Sequence, residues 1–382
     1  MEKIVVIADD MSGAAELAGI CARLEIPVSF SIGFCTPKEG VTVIATDTRS
    51  MSEADARQEI KTLIRQLKEV GFTGLFKKAD SVFRGHVAAE IEELCDELEV
   101  ENVLFIPVNP YTDRKIENGE YFLQDISLSQ TSFSKDPEYP IGSSNVRDLI
   151  GPSKFLVHYG ADLIDQLKDG INIPDAQSFE DMDFWLERSS KEILHAGSGA
   201  FFEAYLTHYY SDLIQEHNNP KIPFKGNTVM VLGSAHEYNK NFILAVEAEG
   251  LTCLGYHQSM DNESYVLEAK QNIRDSGCVL LYIQEHKDEK GDPIKLKKAL
   301  SDTVLALVQD GSINELLIAG GATSYAIVHD LGVESLRVLE ELCPGVVRFS
   351  TDLADLKITI KPGSYPWPYS IKHYMIQSKS VF

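Results

Sequence analysis

The sequence predicts an α/β protein of two domains, each a mostly parallel sheet flanked by helices, with the active site in the cleft between them. Short aliphatic runs alternate with helical periodicity from the first residues onward, the pattern of a doubly wound sheet. The alternation stops in a polar, proline-bearing stretch, His217–Pro223, and then restarts. The length, 382 residues, is enough for two separate cores. The domains are therefore expected at 1–220 and 227–382, with His217–Pro223 as the linker.

Strands are predicted at Ile4–Ala8, Val28–Ile32, Val41–Thr46, Gly74–Lys78 and Val103–Val108, each a continuous apolar run of buried-strand length. Between them, apolar residues recur at spacings of three and four. Ala14, Leu17, Ala18, Cys21 and Leu24 mark one helix. Ala56, Ile60, Leu63, Ile64 and Leu67 mark a second, and Val87, Ile91, Leu94 and Leu98 a third. Residues 109–150 break the rhythm and read as a long polar insertion, a functional loop or disorder. After it come a strand at Phe155–Val157, a helix around Leu163–Leu167, a strand at Ile171–Ile173 and a helix over Asp181–Leu194. In the second half, strands are predicted at Thr228–Leu232, Val279–Ile283, Glu315–Ala319, Leu336–Val338 and Lys357–Ile360. Helices fit Tyr238–Glu249, Leu296–Gln309 and Ser324–Leu331.

Composition excludes several functions. Thirty-five basic against 58 acidic side chains give a net charge of −23, which argues against nucleic acid and against an anionic membrane surface as partners. No apolar stretch reaches the ~18 residues of a membrane span. Met1–Asp10 reads as a buried strand, not a signal peptide. The six cysteines are isolated and read as reduced thiols, so a cytoplasmic location is expected.

In open α/β sheets ligands bind at the carboxyl ends of strands, where helix N-termini present free N–H groups. The first strand ends in Asp9-Asp10, with Ser12 opening a helix. The third ends in Asp47-Thr48-Arg49, and the fourth runs through Lys77, Lys78, Asp80, Ser81 and Arg84. The fifth reaches Asn109. A strongly acidic chain that gathers Arg49, Lys77, Lys78 and Arg84 at one crevice has the makings of a local anion site. The carboxylates Asp9, Asp10, Asp47 and Asp80 can accept hydrogen bonds from hydroxyls, and one can serve as general base. A small hydroxylated acid fits both halves.

The second half carries glycine turns after strands: Gly233-Ser234, Gly320-Gly321-Ala322-Thr323 and Lys361-Pro362-Gly363. Such turns let backbone N–H groups approach phosphate. There is no G-x-x-x-x-G-K-[ST] loop and no G-x-G-x-x-G after the first strand, which disfavours a Walker NTPase or a standard Rossmann dehydrogenase. The ten histidines are dispersed, and neither Ser81 nor Ser234 sits in a G-x-S-x-G context. The aromatic tail Tyr365–Tyr369 reads chiefly as packing.

Together these residues match a known pattern. Ala8-Asp9-Asp10-Met11-Ser12-Gly13-Ala14 resembles the A-D-D-L-T-G-A opening of the four-carbon acid sugar kinases, which include 3-oxo-tetronate and threonate kinases. Asp47-Thr48-Arg49 resembles their D-[ST]-R, and Lys78–Gly85 their K-x-D-S-T-x-R-G. Ala196–Ala200 is similar to their glycine-serine segment, and the three later glycine turns to their G-S, A-G-G-E-T and K-x-G elements. The resemblance implies an acid-sugar-binding domain at 1–220 and a nucleotide-binding domain at 227–382. It further implies ATP and Mg²⁺ as cofactors, transfer of the γ-phosphoryl to a terminal hydroxyl, and a homodimer as a possible assembly.

By that analogy Asp10 and Asp80 are the catalytic carboxylates, with Asp10 preferred as base. Asp9, Ser12, Asp47, Arg49, Lys78, Ser81, Arg84 and Asn109 would bind the acid. Gly233, Ser234, Gly320, Gly321, Thr323, Lys361 and Gly363 would cradle the nucleotide. Ala322 stands where the family commonly has Glu, Ala235-His236 follows Gly233-Ser234, and residues 364–368 depart from the usual ending. Two alternatives stand beside this reading: a weakened relative that senses a sugar acid, and an NAD-dependent hydroxy-acid dehydrogenase.

Overall fold

The computed structural model describes residues 2–136, 139–215, 222–234, 236–284, 292–333, 335–353 and 355–378. The chain divides into two compact units, Met1–His217 and Asn218–Phe382. Most of the expected linker, His217–Lys221, lies outside the described residues, as does Ala235. Among the described residues no helix is long and apolar enough to cross a membrane.

The first unit contains strands β1 (Lys3–Ala8), β2 (Val28–Ile32), β3 (Gly40–Ala45), β4 (Gly74–Lys78) and β5 (Asn102–Ile106). A small three-stranded sheet follows, β6 (Arg114–Glu117), β7 (Glu120–Leu123) and β8 (Ile126–Ser127). Then come β9 (Val157–Tyr159), β10 (Gly170–Ile173) and β11 (Leu194–Gly197). The eight strands other than β6–β8 form one parallel array in the order β2-β3-β1-β4-β11-β5-β10-β9. Residues Ile4–Ala8 of β1 are fully buried, as a strand covered on both faces must be. The principal helices are α1 (Met11–Arg23), α2 (Glu53–Val70), α3 (Val87–Leu98), α4 (Val146–Ile150), α5 (Phe179–Leu186) and α6 (Gly199–Tyr209).

β4 shows that helices cover both faces. Successive strand residues point to opposite sides. Phe76 meets Phe201, Phe202 and Tyr205 of α6, whereas Lys77 meets Glu90 of α3.

The second unit contains β12 (Thr228–Leu232), β13 (Cys253–Tyr256), β14 (Cys278–Ile283), β15 (Glu315–Ala319), β16 (Leu336–Cys343), β17 (Val346–Thr351) and β18 (Lys357–Lys361). Helices α7 (Glu237–Glu247), α8 (Asn262–Ser276), α9 (Pro293–Gln309), α10 (Gly321–Asp330) and α11 (Tyr369–Ser378) complete it. Its strand order is β13-β14-β12-β15-β18-β17-β16, parallel through β18 and antiparallel beyond. The aromatic tail contributes Trp367 to the core beside Met230, Leu317 and Met375.

Two sequence expectations fail. Residues Leu163–Leu167 are not helical; only a 3-10 turn at Gly160–Asp162 stands between β9 and β10. The connection is too short for a helix whose nucleation is itself unfavourable. The helix expected over Asp181–Leu194 stops at Leu186, and Leu194 instead opens β11. The described residues of the insertion at 109–150 form a lobe: β6–β8 with short 3-10 turns and α4.

Candidate functional site

Register brings the first-unit motifs together. Ala8 of β1 pairs with Ala45 of β3 and with Lys78 of β4, so three neighbouring strands end at one level. The loops that follow carry Asp9-Asp10, Asp47–Arg49 and Asp80–Arg84. The Arg49 backbone N–H donates to the Asp9 carbonyl at 3.2 Å, which pins two of these loops to each other.

Asp10 is the N-cap of α1. Its Oδ1 accepts from the Gly13 N–H at 3.0 Å, and its Oδ2 accepts from the Ser12 hydroxyl at 2.6 Å. A Cβ at Gly13 would come within 2.7 Å of Asp10 Oδ1 and 3.2 Å of Lys78 Nζ, so this close approach requires glycine. Arg49 is the hub. Its Nη2 lies 2.7 Å from Asp9 Oδ2 and 3.1 Å from Asp10 Oδ1, and its Nη1 lies 3.4 Å from Asp80 Oδ2. Asp80 accepts from the Val82 and Arg84 backbone N–H groups at 3.0 and 3.1 Å, and its Oδ2 takes the Arg84 Nη2 at 2.9 Å. Phe83 holds a left-handed backbone, φ 65°, within this turn, packed against Phe105 and Tyr121.

The electrostatics favour ionised carboxylates. Burial raises the Asp10 pKa, but Arg49, Lys78 and the Ser12 hydroxyl outweigh it and the net shift is downward. Burial likewise opposes ionisation of Asp80, yet Arg84, Arg49 and Lys78 hold it far below the ordinary carboxylate range. Burial acts against the Arg49 charge too, and Asp10, Asp9 and Asp80 more than compensate. Among the described residues, Asp9 Oδ1 is buried with no hydrogen-bond partner. Lys78 is buried, with Nζ donating to the Ala79 carbonyl at 2.8 Å and lying 4.0 Å from Glu16.

The other first-unit candidates have distinct places. Asp47, in a left-handed conformation, accepts from Ser50 at 3.1 Å and so shapes the turn that presents Arg49. Asn109 is buried; its Oδ1 accepts the Tyr111 N–H at 3.1 Å, and its backbone pairs with Arg114. Lys77 does not join the cation cluster. Its ammonium lies 2.6 Å from Glu90 of α3, both groups are buried, and Glu90 also bonds to Thr48 and feels the Asp9 charge, so the pair borders the cluster. The period-2 alternation that directs Lys78 to the cluster necessarily directs Lys77 away from it.

Sequence reasoning missed Arg114. This buried residue opens β6 and donates to the Ser81 hydroxyl, and its guanidinium lies 5.6 Å from the centre of the Phe133 ring. Arg84 lies 5.5 Å from the same ring and reaches Asp136 at 3.1 Å. A signal was present: Asn118-Gly119, both at positive φ, joins β6 to β7 as a hairpin. Recognising that hairpin would have ordered the insertion.

The second unit repeats the device with glycines. Leu232 pairs with Ala319 and Tyr282, and Ala319 pairs with Lys361, so β12, β14, β15 and β18 reach one level together. The Gly233 N–H donates to the Ala319 carbonyl at 3.2 Å, and the Gly320 N–H to the Lys361 carbonyl at 3.0 Å. A Cβ at Gly233 would fall 1.9 Å from Thr323 Oγ1, and one at Gly363 would fall 2.5 Å from Ser234 Oγ. Gly320, with φ 111°, precedes Gly321 at the start of α10. Gly233, Ser234, Gly320, Thr323 and Gly363 thus converge beside a helix N-terminus, a cradle able to take an anion.

Lys361 points elsewhere. Its buried Nζ donates to the carbonyls of Pro362 and Tyr365 at 3.0 and 2.7 Å and to Asn239 Oδ1 at 3.3 Å, and burial pushes its pKa down to about 7. Asn239 in turn donates to the Ser234 carbonyl at 2.9 Å. The lysine side chain therefore braces the cradle from inside. A cavity of about 270 Å³ adjoins it, lined in part by Leu232, Ser234, Asn239, Ile243 and Tyr282.

Comparison with known proteins agrees with this division. A family model described as a sugar-binding N-terminal domain matches residues 4–205, and one described as a nucleotide-binding C-terminal domain matches residues 235–365. A 3-oxo-tetronate kinase of Pseudomonas savastanoi is 25% identical over 94% of this chain and 93% of its own length. A D-threonate kinase of Salmonella typhimurium is 22% identical over 95% of each chain. A Haemophilus influenzae crystal structure shares the fold, with a TM-score of 0.69 at 22% identity, covering 99% of this chain and 100% of that one. The sugar-binding model alone spans more than half of the 382 residues. The chain belongs to the four-carbon acid sugar kinase family, in which a sugar-binding N-terminal domain is joined to a nucleotide-binding C-terminal domain.

Proposed function

We propose that the protein transfers the γ-phosphoryl group of ATP to a terminal hydroxyl of a four-carbon sugar acid of the 3-oxo-tetronate, threonate or erythronate type. The observation that carries this reading is the first-unit cluster, where Arg49, Lys78 and Arg84 meet Asp9, Asp10 and Asp80 at three level strand ends. Cations attract the carboxylate, and carboxylate oxygens accept the hydroxyls of the same small molecule. The unpartnered Asp9 Oδ1 is one such acceptor. In this reading residues 1–220 bind the acid and residues 227–382 bind the nucleotide. Gly233, Ser234, Gly320, Gly321, Thr323 and Gly363 receive the phosphates, and the cavity beside Tyr282 receives the nucleoside.

In the reaction the acceptor hydroxyl oxygen forms a bond to the γ-phosphorus as the bond from that phosphorus to the β–γ bridging oxygen breaks. ADP leaves with the electron pair, and the hydroxyl proton passes to a carboxylate. We assign this role to Asp10 on the family resemblance, because both carboxylates are already engaged, Asp10 by Ser12, the Gly13 N–H and Arg49 and Asp80 by Arg84 and two backbone N–H groups. A loose transition state releases its proton late, so an ionised carboxylate of low basicity is adequate. Among the described residues no group of three or more His, Cys, Asp or Glu is placed to hold a metal ion. Mg²⁺, which supplies charge neutralisation, commonly binds through substrate phosphates and one or two carboxylates, and would arrive with the nucleotide.

The test is phosphoryl transfer from ATP to a panel of four-carbon acids, run beside calorimetric titration with ATP and Mg²⁺. Transfer to at least one acid is expected, and Arg84→Ala should raise KM for the acid far more than KM for ATP. Acid binding without nucleotide binding at millimolar concentration would replace the kinase reading with that of a sensor.

A further inference from the structure

The lobe at 109–150 brings to the acid site a cation that lies outside every motif quoted above. Arg114 is buried at the start of β6, and it donates to the hydroxyl of Ser81, the residue that directly follows Asp80. Its guanidinium and that of Arg84 both stack against Phe133, itself buried. A serine oxygen that accepts a guanidinium N–H keeps its own O–H to donate elsewhere. Ser81 is thereby set as a donor, with two guanidinium groups beside it on one aromatic ring. Asp80 and Asp136 balance the Arg84 charge there, and Arg114 with the Ser81 hydroxyl adds donors and a further cation at that end of the cluster, where an oxyanion is favoured over a neutral group.

The lobe is held to this position by its own bonds. The Asn109 and Arg114 backbones pair with each other at the base of the hairpin, and the Tyr139 hydroxyl donates to the Arg49 carbonyl. Asp136 meets Arg84 at 3.1 Å. The insertion therefore forms one wall of the acid site.

Building on the sugar-acid reading, we propose that Arg114 is a specificity-determining residue. With Ser81 and Arg84 it forms the end of the pocket that receives the substrate carboxylate, so that acids are bound in preference to their uncharged counterparts. Arg114 orients Ser81 and supplies charge; the chemistry at the transferred phosphoryl group belongs to other residues.

The experiment measures binding of a tetronate and of its neutral carboxamide to the full-length chain by calorimetry, for wild type, Arg114→Gln and Arg114→Lys. Wild type should prefer the acid. Arg114→Gln should weaken acid binding by roughly 10–100-fold, the range of a charge-assisted hydrogen bond, with the amide and ATP affected less than about twofold. Arg114→Lys, which keeps the charge, should fall between the two and reports even if the glutamine variant does not fold. An acid-to-amide preference unchanged in a folded variant overturns the assignment of Arg114 and leaves the kinase reading intact. A wild type that binds nucleotide but no four-carbon acid overturns both.

Discussion

Replacing Arg49 by methionine probes the centre of the candidate site. The guanidinium touches three carboxylates at 2.7, 3.1 and 3.4 Å, and its side chain is only 14% exposed. Methionine keeps much of the volume and removes the charge, leaving Asp9, Asp10 and Asp80 without their shared partner. Removing one side of a buried ion pair costs about 3–5 kcal/mol. For a unit of this size, about 2–4 °C accompany each kcal/mol, so the unfolding temperature should drop by roughly 6–20 °C at neutral pH.

The pH dependence follows from the direction of the shifts. In the wild type Asp10 and Asp80 lie below their ordinary value of 3.8, so their contribution is complete above that pH and is lost as pH falls beneath it. In the variant, burial acts without Arg49 and the carboxyl pKa values move up. Protonation then relieves the uncompensated charge, and the difference between the two proteins narrows on acidification from about pH 7 to about pH 4.5. Scanning calorimetry of both proteins at the two pH values checks this, read on the transition of the first unit because the two units need not unfold together. A drop below about 2 °C at neutral pH, or a difference that widens in acid, refutes the electrostatic account of the cluster.

Two further outcomes separate binding from support. Gly233→Ala places a methyl group 1.9 Å from Thr323 Oγ1, and should weaken ATP binding by about tenfold or more while leaving acid affinity unchanged in calorimetry. Glu90→Gln strands the buried Lys77 ammonium and should lower stability by about 3–5 kcal/mol in denaturant unfolding, with ATP affinity of the folded protein unaffected. Replacing both Lys77 and Glu90 by methionine should recover most of that loss.

The sheet of the first unit was largely legible because its strands are buried on both faces. Val28–Ile32 and Gly74–Lys78 coincide with the aliphatic runs, and Ile4–Ala8 falls one residue short. Signals weakened where a strand carries polar or small residues. β17 was missed because the fully buried Arg348, paired with Glu315 and Glu340, interrupts its apolar run. β13 is a short edge strand with two half-buried positions, and β11 is built of Leu194, His195, Ala196 and Gly197. At the site, charge at strand ends marked Asp9, Asp10, Arg49, Asp80 and Arg84, which the structure does gather. The same cue set Lys77 beside Lys78, whereas its ammonium pairs with Glu90 of α3, since the cue ignores which face each residue occupies. Arg114 was invisible to it, because 33 residues separate it from Ser81 and only the folded hairpin closes the distance.

The adjacent lysines of β4 place an unusual constraint on that strand. Lys77 is locked to Glu90 on one side of the sheet, while Lys78 serves the cluster on the other. A slip of a single position would exchange them, stranding the pillar and emptying the pocket in one event. Strand length here is thus under double guard. Insertions and deletions between Gly74 and Lys78 should therefore be poorly tolerated.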